Sequence, residues 1–295
     1  MERSDNLEFL PLESWRGRFA PEEQNRALEA IEAGKVIVLP TLGFVLEPAE
    51  TKFLAPSISG DRRKNISFDR QSRKIGNVAM EPGDAAALTA TMDRFGRCAR
   101  ELVEGLLPSY AGQMTSGLTS YRPSEIEGRA YSPRKDDTRL HVDAFPSRPV
   151  RGSRILRVFT NIADDGAVRR WRLGEPFPAF AQKFAPRVKP PWPGAFRALE
   201  LLGVTKSRRT AYDHYMLALH DLAKLDKAYQ TQSPRMDVSF DPGTTWLCFT
   251  DQVLHAAVSG HAALEQTFYV PIGTMRAPST APLRVLEALT GRRLA

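Results

Sequence analysis

The run Thr138-Arg139-Leu140-His141-Val142-Asp143-Ala144-Phe145 sets an imidazole and a carboxylate two residues apart. On an extended strand side chains alternate between faces, so both groups would point the same way. Joined by a second histidine from a distant strand, such a pair forms the facial triad that holds non-haem Fe(II) while leaving coordination positions open. His255, in Thr250-Asp251-Gln252-Val253-Leu254-His255, is the candidate third ligand. The chemistry of such a set is oxygen activation, with the open positions available to a bidentate 2-oxo acid and dioxygen. H-x-D alone is weak evidence, since five His and sixteen Asp among 295 residues give about 0.3 such tripeptides by chance. Spacing also allows another reading, in which His141 and Asp143 form an ordinary hydrogen-bonded pair and His255 is a satisfied core histidine. His214 and His220 are six apart on an expected helix and so fall on different faces, which suits packing or solvent better than a metal. His261 follows Gly260 in a turn-like segment and reads as a surface residue.

These residues need strands to position them. Pro21-Glu22-Glu23 opens a helical pattern that runs to about Ala33-Gly34, and Val36-Ile37-Val38-Leu39-Pro40 reads as a short buried strand. Residues 60–74 carry Arg62, Arg63, Lys64, Arg70, Arg73 and Lys74 against Asp61 and Asp69, which reads as a basic surface loop. An amphipathic helix follows from Asp84 to about Leu107, ended by Pro108. Beyond it come short β-prone segments at about 117–122, 138–145, 154–162, 236–240, 244–250, 253–258 and 265–272. The expected fold is α+β: a double-stranded β-helix (jelly-roll) core with N-terminal helices and a helical insertion. We expect a single domain, with an N-terminal elaboration over 1–112, the core over 113–275, the insertion at about 173–233 and a C-terminal helix over 276–295. The insertion is rich in proline and aromatics, and a helix across 212–229 would use Tyr215, Leu219, Leu222 and Leu225 as its apolar side. It is expected either to cover the barrel mouth or to form a satellite core.

With 42% apolar residues the chain can bury a substantial core. The N-terminal residues lack a signal-peptide pattern and no apolar run is long enough to cross a bilayer, so the expected location is cytoplasmic. Cys98 and Cys248 are too far apart for a C-x-x-C site and read as buried free thiols. A net charge of +7 favours anionic partners without choosing among them.

Residues 138–147 (TRLHVDAFPS), 154–161 (RILRVFTN), 171–176 (WRLGEP) and 255–271, together with the 36–40 strand, resemble the Kdo hydroxylases. The likeness covers most of the chain and is strongest between about 120 and 272. It implies an Fe(II)/2-oxoglutarate-dependent dioxygenase that uses O2 to hydroxylate C3 of 3-deoxy-D-manno-oct-2-ulosonic acid (Kdo) in Kdo-lipid A. The product would be the sugar called Ko, with succinate and CO2 released. Many related oxygenases place Arg or Lys about ten residues beyond the distal His to bind the 2-oxoglutarate tail, but position 265 is Glu here. Arg157 is then the first candidate anchor and Arg122 the second, with Asn161 on the same strand face as Arg157. The anionic substrate gives the basic excess a use, with Arg62, Arg63, Lys64, Arg129, Arg134 and Arg148 as candidate contacts, along with Lys135. Peripheral contact with an anionic membrane surface on the inner face of the cytoplasmic membrane follows as an expectation. Two other readings stay open: a related oxygenase acting on another small or lipid-linked acid, and a non-catalytic basic binding module. No motif for nucleic acid is present, and none is expected to bind.

Overall fold

The computed structural model describes residues 5–55, 58, 65–128, 131–192 and 194–295. From the N-terminus, β1 (Leu7–Phe9), α1 (Pro21–Glu32), β2 (Val36–Leu39), β3 (Ile66–Asp69), β4 (Lys74–Gly76), α2 (Pro82–Leu106) and β5 (Thr115–Arg122) lead to β6 (Arg154–Asn161) and β7 (Arg169–Leu173). Helices α3 (Phe177–Phe184), α4 (Ala195–Leu201), α5 (Ala211–Leu225) and α6 (Lys227–Gln232) follow, then β8 (Met236–Phe240), β9 (Thr245–Phe249), β10 (His255–Ser259), β11 (Ala263–Val270) and α7 (Pro282–Thr290). The helix starts have local causes. At α1 the Ala20 N–H donates to Glu23 Oε2 at 2.8 Å, and at α5 the Thr210 N–H donates to Asp213 Oδ2 at 2.8 Å while the Asp213 N–H returns to Thr210 Oγ1.

The strands form an eight-stranded sheet in the order β1-β2-β9-β6-β11-β5-β3-β4 and a three-stranded sheet in the order β10-β7-β8. Together they make the expected jelly-roll core of an α+β fold. Period-two alternation assigns the faces. Leu156 and Val158 of β6, Leu247 and Phe249 of β9, and Leu264 and Phe268 of β11 pack with α1 and α2. Phe159, Trp246 and Cys248 point the other way and meet Trp171, Leu173 and Val238 of the small sheet. Burying both faces of β6 and β9 accounts for their nearly continuous apolar sequence.

Four features depart from the expectations. The segment 138–145 is not a strand: His141 makes a lone antiparallel bridge to His255, and the residues after it are irregular. The basic stretch 60–74 is not loop throughout, because β3 pairs with β5 and buries Ile66 and Phe68 completely. The N-terminal part thus supplies β1 to β4 to the large sheet. The segment 169–173, absent from the expected strands, is central in the small sheet, pairing with β10 on one side and β8 on the other. On α5, Tyr215 and Leu219 are buried and Leu222 packs partly against the same core, as expected, but Leu225 is exposed and Tyr212, Met216 and Ala223 complete the buried face instead. The insertion forms a satellite core, with Phe177, Phe180 and Phe184 packed among Tyr212, Met216 and Leu286 against Val142 and Leu254. Cys248 is buried and Cys98 half-buried, both as free thiols.

One buried ion pair ties the end of β9 to the start of β6. Arg154 donates to Asp251 Oδ2 from Nε at 2.8 Å and to Gln252 Oε1 from Nη2 at 2.7 Å, with its guanidinium over the Phe249 ring. Neither charge reaches solvent, so removing one strands the other. Arg154→Met is expected to lower unfolding free energy by about 3–5 kcal/mol in urea titration. Adding Asp251→Leu is expected to recover most of that loss, because no unpaired charge then remains in the core.

Candidate metal centre

Backbone pairing assembles the three candidate ligands. The His141 N–H donates to the His255 carbonyl at 3.0 Å and the His255 N–H returns to the His141 carbonyl at 2.9 Å, which sets the two imidazoles side by side. The Asp143 N–H donates to the Thr250 carbonyl at 2.8 Å and carries the carboxylate to the same place. Between them Val142 is buried in the satellite core, so the i, i+2 relation survives without a strand. One ligand atom from each of His141, Asp143 and His255 lies within 4.8 Å of the others.

The donor set suits a metal ion. Nδ1 of His141 lies 2.7 Å from the Arg139 carbonyl, and Nδ1 of His255 lies 2.8 Å from the Val253 carbonyl. A carbonyl only accepts, so in both rings Nδ1 carries the proton and Nε2 keeps its lone pair for the centre. Burial, reinforced by neighbouring positive charge, pushes His141 well below the usual imidazole range, and burial likewise lowers His255. Both are neutral, as ligation requires. Burial, the largest influence on Asp143, opposes its ionisation, but the Arg157 guanidinium together with the two neighbouring imidazoles and the Thr250 hydroxyl outweighs it and holds the carboxyl well below the usual carboxylate range. Asp143 Oδ2 is buried without a hydrogen bond, though within ion-pair distance of Arg157 at 3.2 Å. Packing fixes the rings: Trp171 stacks on His255 at 5.1 Å between centroids, and His220 meets His141 edge-on at 5.2 Å. His220 therefore packs beside the site, while its Nδ1 lies 3.1 Å from Asp221.

The cluster opens into a cavity of about 610 Å³ whose wall includes Arg122, Arg157, Arg169, Phe159, Trp171 and Lys135. Glu265, almost fully buried, stands behind two of these cations, 2.8 Å from Arg122 Nη2 and 3.2 Å from Arg157 Nη1. Arg122 also reaches Asp137 at 3.6 Å. Arg169 differs. Its Nη1 donates to the Gly260 carbonyl at 2.9 Å and its Nε, like that of Arg157, is buried without a hydrogen-bond partner, but unlike Arg122 and Arg157 it forms no salt bridge with a carboxylate among the described residues. Burial, followed by the nearby charge of Arg122, pushes its guanidinium down to about 9. Gly260 allows this approach: at φ +101° it takes a left-handed conformation, and a Cβ there would lie 2.9 Å from the Arg169 Cα.

Arg157 and Arg122 thus both line the cavity. Asn161 does not: its Nδ2 donates to the carbonyls of Ala167 and Phe240 and its Oδ1 accepts from the Ala163 N–H, so the side chain is consumed in closing the end of β6. This corrects its expected place beside the co-substrate. Arg134 is half-turned to solvent and paired with Asp221 at 3.1 Å, away from the cavity wall. Arg148 lines a separate cleft with Lys206 and Tyr269. Arg62, Arg63, Lys64 and Arg129 lie outside the described residues. His261 sits between Asp165, at 3.3 Å, and Glu125. Arg169 and Trp171 are functional candidates that sequence reasoning misses. The signal that could have found them is the alternation in Arg169-Arg170-Trp171-Arg172-Leu173, whose odd members are all buried.

A jelly-roll barrel with a buried His/Asp/His cluster at the head of a cation-lined cavity is the arrangement of the non-haem iron oxygenases. The family model for 3-deoxy-D-manno-oct-2-ulosonic acid (Kdo) hydroxylase matches residues 14–293. The chain belongs to the Kdo hydroxylase family. It is similar to the crystal structure of the Kdo hydroxylase KdoO, a non-haem Fe(II) α-ketoglutarate-dependent dioxygenase, in complex with α-ketoglutarate and Fe(III): 43% identity over 98% of this chain and 97% of that one, with a TM-score of 0.94. The cobalt(II) complex of KdoO is 44% identical over the same shares, with a TM-score of 0.95. No match was found among curated proteins.

Co(II) titration followed by its visible absorption tests the cluster. His255→Ala is expected to weaken Co(II) binding at least about 100-fold while the far-UV circular dichroism stays unchanged.

Proposed function

We propose that this protein is an Fe(II)/2-oxoglutarate-dependent dioxygenase that hydroxylates C3 of Kdo in Kdo-lipid A, giving Ko, and that His141, Asp143 and His255 hold the metal. The observation that carries the reading is the convergence of two Nε2 lone pairs and one ionised carboxylate on a cation-lined cavity. Fe(II) with 2-oxoglutarate bound supplies the oxidising chemistry, using O2 to replace a C–H bond by C–OH while succinate and CO2 are released.

The chain's own residues have separate tasks. His141 and His255 are held neutral and aimed by their Nδ1 hydrogen bonds, and Asp143 partly neutralises the ion. Arg157, which touches Asp143, helps to keep that carboxylate ionised and adds with Arg122 to the positive field of the cavity that would receive 2-oxoglutarate. Arg169 fits the distal carboxylate best. It stands two residues from Trp171 on the same face of β7, roughly 7 Å along the strand from the residue stacked on His255, and no carboxylate forms a salt bridge with it among the described residues. Guanidinium meets carboxylate with two parallel donors, and Arg169 has Nε to spare. Phe159 and Trp171 wall the cavity with apolar surface and keep water from the reacting carbon. Lys135 and Tyr131, also on the wall, suit the carboxylate and hydroxyls of an acidic sugar. A lipid-linked substrate puts the enzyme at the inner face of the cytoplasmic membrane as a peripheral protein, and no helix among the described residues is long and apolar enough to cross a bilayer.

Adding Fe(II) and 2-oxoglutarate to the protein without oxygen is expected to produce their metal-to-ligand charge-transfer band, and a folded protein without the band would defeat the reading. With oxygen, mass spectrometry of Kdo-lipid A is expected to show a gain of one oxygen on the sugar that His141→Ala abolishes. Arg169→Gln is expected to raise the KM for 2-oxoglutarate at least about tenfold, the scale of one charge-assisted contact, with a smaller change in kcat.

A further inference from the structure

Away from the cavity, the segment around α4 leaves apolar side chains in water. Trp192 is 86% exposed, Leu201 76%, Leu202 77% and Val204 51%. Single exposed apolar residues are ordinary, but four within thirteen positions, one of them tryptophan, form a patch of the kind that marks an interaction site. The helix between them is only about 10 Å long, so the two ends of the patch are neighbours. Its other side is attached to the molecule. Phe196 packs against the His214 ring at 5.9 Å, and the Lys206 N–H donates to the Ser147 carbonyl at 2.9 Å. The Arg209 guanidinium donates to the Pro146 carbonyl. Thus the patch is a braced surface, fastened to the chain three and four residues beyond Asp143.

Charge selects its occupant. Lys189, Arg197, Lys206 and Arg208 lie among and beside the apolar residues in sequence and are exposed. Among the described residues none of the four has a salt bridge, and Glu200 is the one acid between positions 189 and 209. A second protein chain would leave these cations to be desolvated against an apolar partner, whereas an anionic lipid surface satisfies them at headgroup level while taking the tryptophan and leucines below it. Neither signal is strong alone, and stable peripheral binding needs both.

We propose that Trp192, Leu201, Leu202 and Val204, with their rim of cations, dock this protein on an anionic lipid bilayer. The proposal rests on the lipid-linked substrate reading above and adds to it the surface that meets the membrane. Docking there leaves the metal centre clear: α5 starts beside the patch and passes His141 at His220, nine residues from its first and about 13 Å further along.

The test is co-sedimentation of the intact protein with vesicles of phosphatidylcholine alone and of phosphatidylcholine with phosphatidylglycerol. Wild type is expected to bind the anionic vesicles at least about tenfold more tightly than the neutral ones. The triple variant Trp192→Ser, Leu201→Ser, Leu202→Ser is expected to lose at least about tenfold in binding to anionic vesicles, the scale set by its lost apolar burial. Lys206→Gln with Arg208→Gln is expected to lose about fivefold for each cation removed. All variants should keep the wild-type melting temperature and the anaerobic Fe(II)/2-oxoglutarate band. Wild type that ignores anionic vesicles, or a triple variant that binds like wild type, overturns the proposal while a retained band leaves the enzymatic reading standing. Vesicle binding that the triple variant loses, in a protein without the band, would instead support the docking surface and defeat the enzymatic reading. A wild-type dimer in analytical ultracentrifugation that the triple variant converts to monomer would assign the face to a second copy and also overturn the proposal.

Discussion

Two reciprocal peptide hydrogen bonds between His141 and His255 hold the site together. They join a segment with little regular structure of its own to the first residue of β10, and β10 is fixed by its pairing with β7. Histidine side chains brought together from positions 114 residues apart would otherwise carry a large ordering cost. The surroundings offset that cost at several points. Trp171 stacks on one imidazole, Val142 anchors the intervening residue in the satellite core, and Arg154 grips Asp251 and Gln252 just before His255. The jelly roll thus serves the centre as a set of braces on one cross-link.

That cross-link also explains the charge arrangement. Placing Asp143 in the interior requires a cation, and Arg157 supplies it from β6, two strands from Arg122 on β5. Two buried guanidiniums in turn need Glu265 on β11, the strand between them. The carboxylate at position 265, which in sequence reads as a missing anchor, is the compensating charge of a three-strand network. With Arg122 and Arg157 so balanced, Arg169 is the cavity arginine that no carboxylate neutralises by a salt bridge among the described residues.

The legibility of this chain in sequence follows the same physics. His141, Asp143 and His255 stand out because few side chains bind metals and their spacing constrains them. The strands β5, β6, β8, β9 and β11 stand out because apolar and β-branched residues concentrate there. What sequence hides is charge folded inward. In β7, Arg169 is chemically the same residue as the solvent-facing Arg170 and Arg172, so an arginine-rich pentapeptide looks like surface until its pairing with β8 and β10 is known. In β3, Ile66 and Phe68 are two apolar residues beyond a run of cations, too few to reveal a strand that needs β5 as its partner. Asn161 shows the limit of periodicity in the other direction. Alternation places it on the face it shares with Arg157, but its amide is spent on two backbone carbonyls at the strand end.

Helix α5 connects these themes. Its N-terminus is fixed by the Thr210–Asp213 capping box, and Asp213 Oδ1 also accepts the N–H groups of Val150 and Arg151, fastening the helix to the chain that leaves the metal site. Midway, His220 presses its edge on His141. Further along, Lys224, buried, reaches the Arg134 carbonyl at 3.3 Å and Asp137 at 3.6 Å, so the cavity rim is tied to the same helix. The helix is thus held at its start by hydrogen bonds, at its middle by a ring contact and near its end by a buried charge. The exposed apolar segment before its start, the imidazole at its middle and the cavity rim near its end are therefore all tied to one element, which sets a surface outside the cavity in place relative to the candidate metal centre.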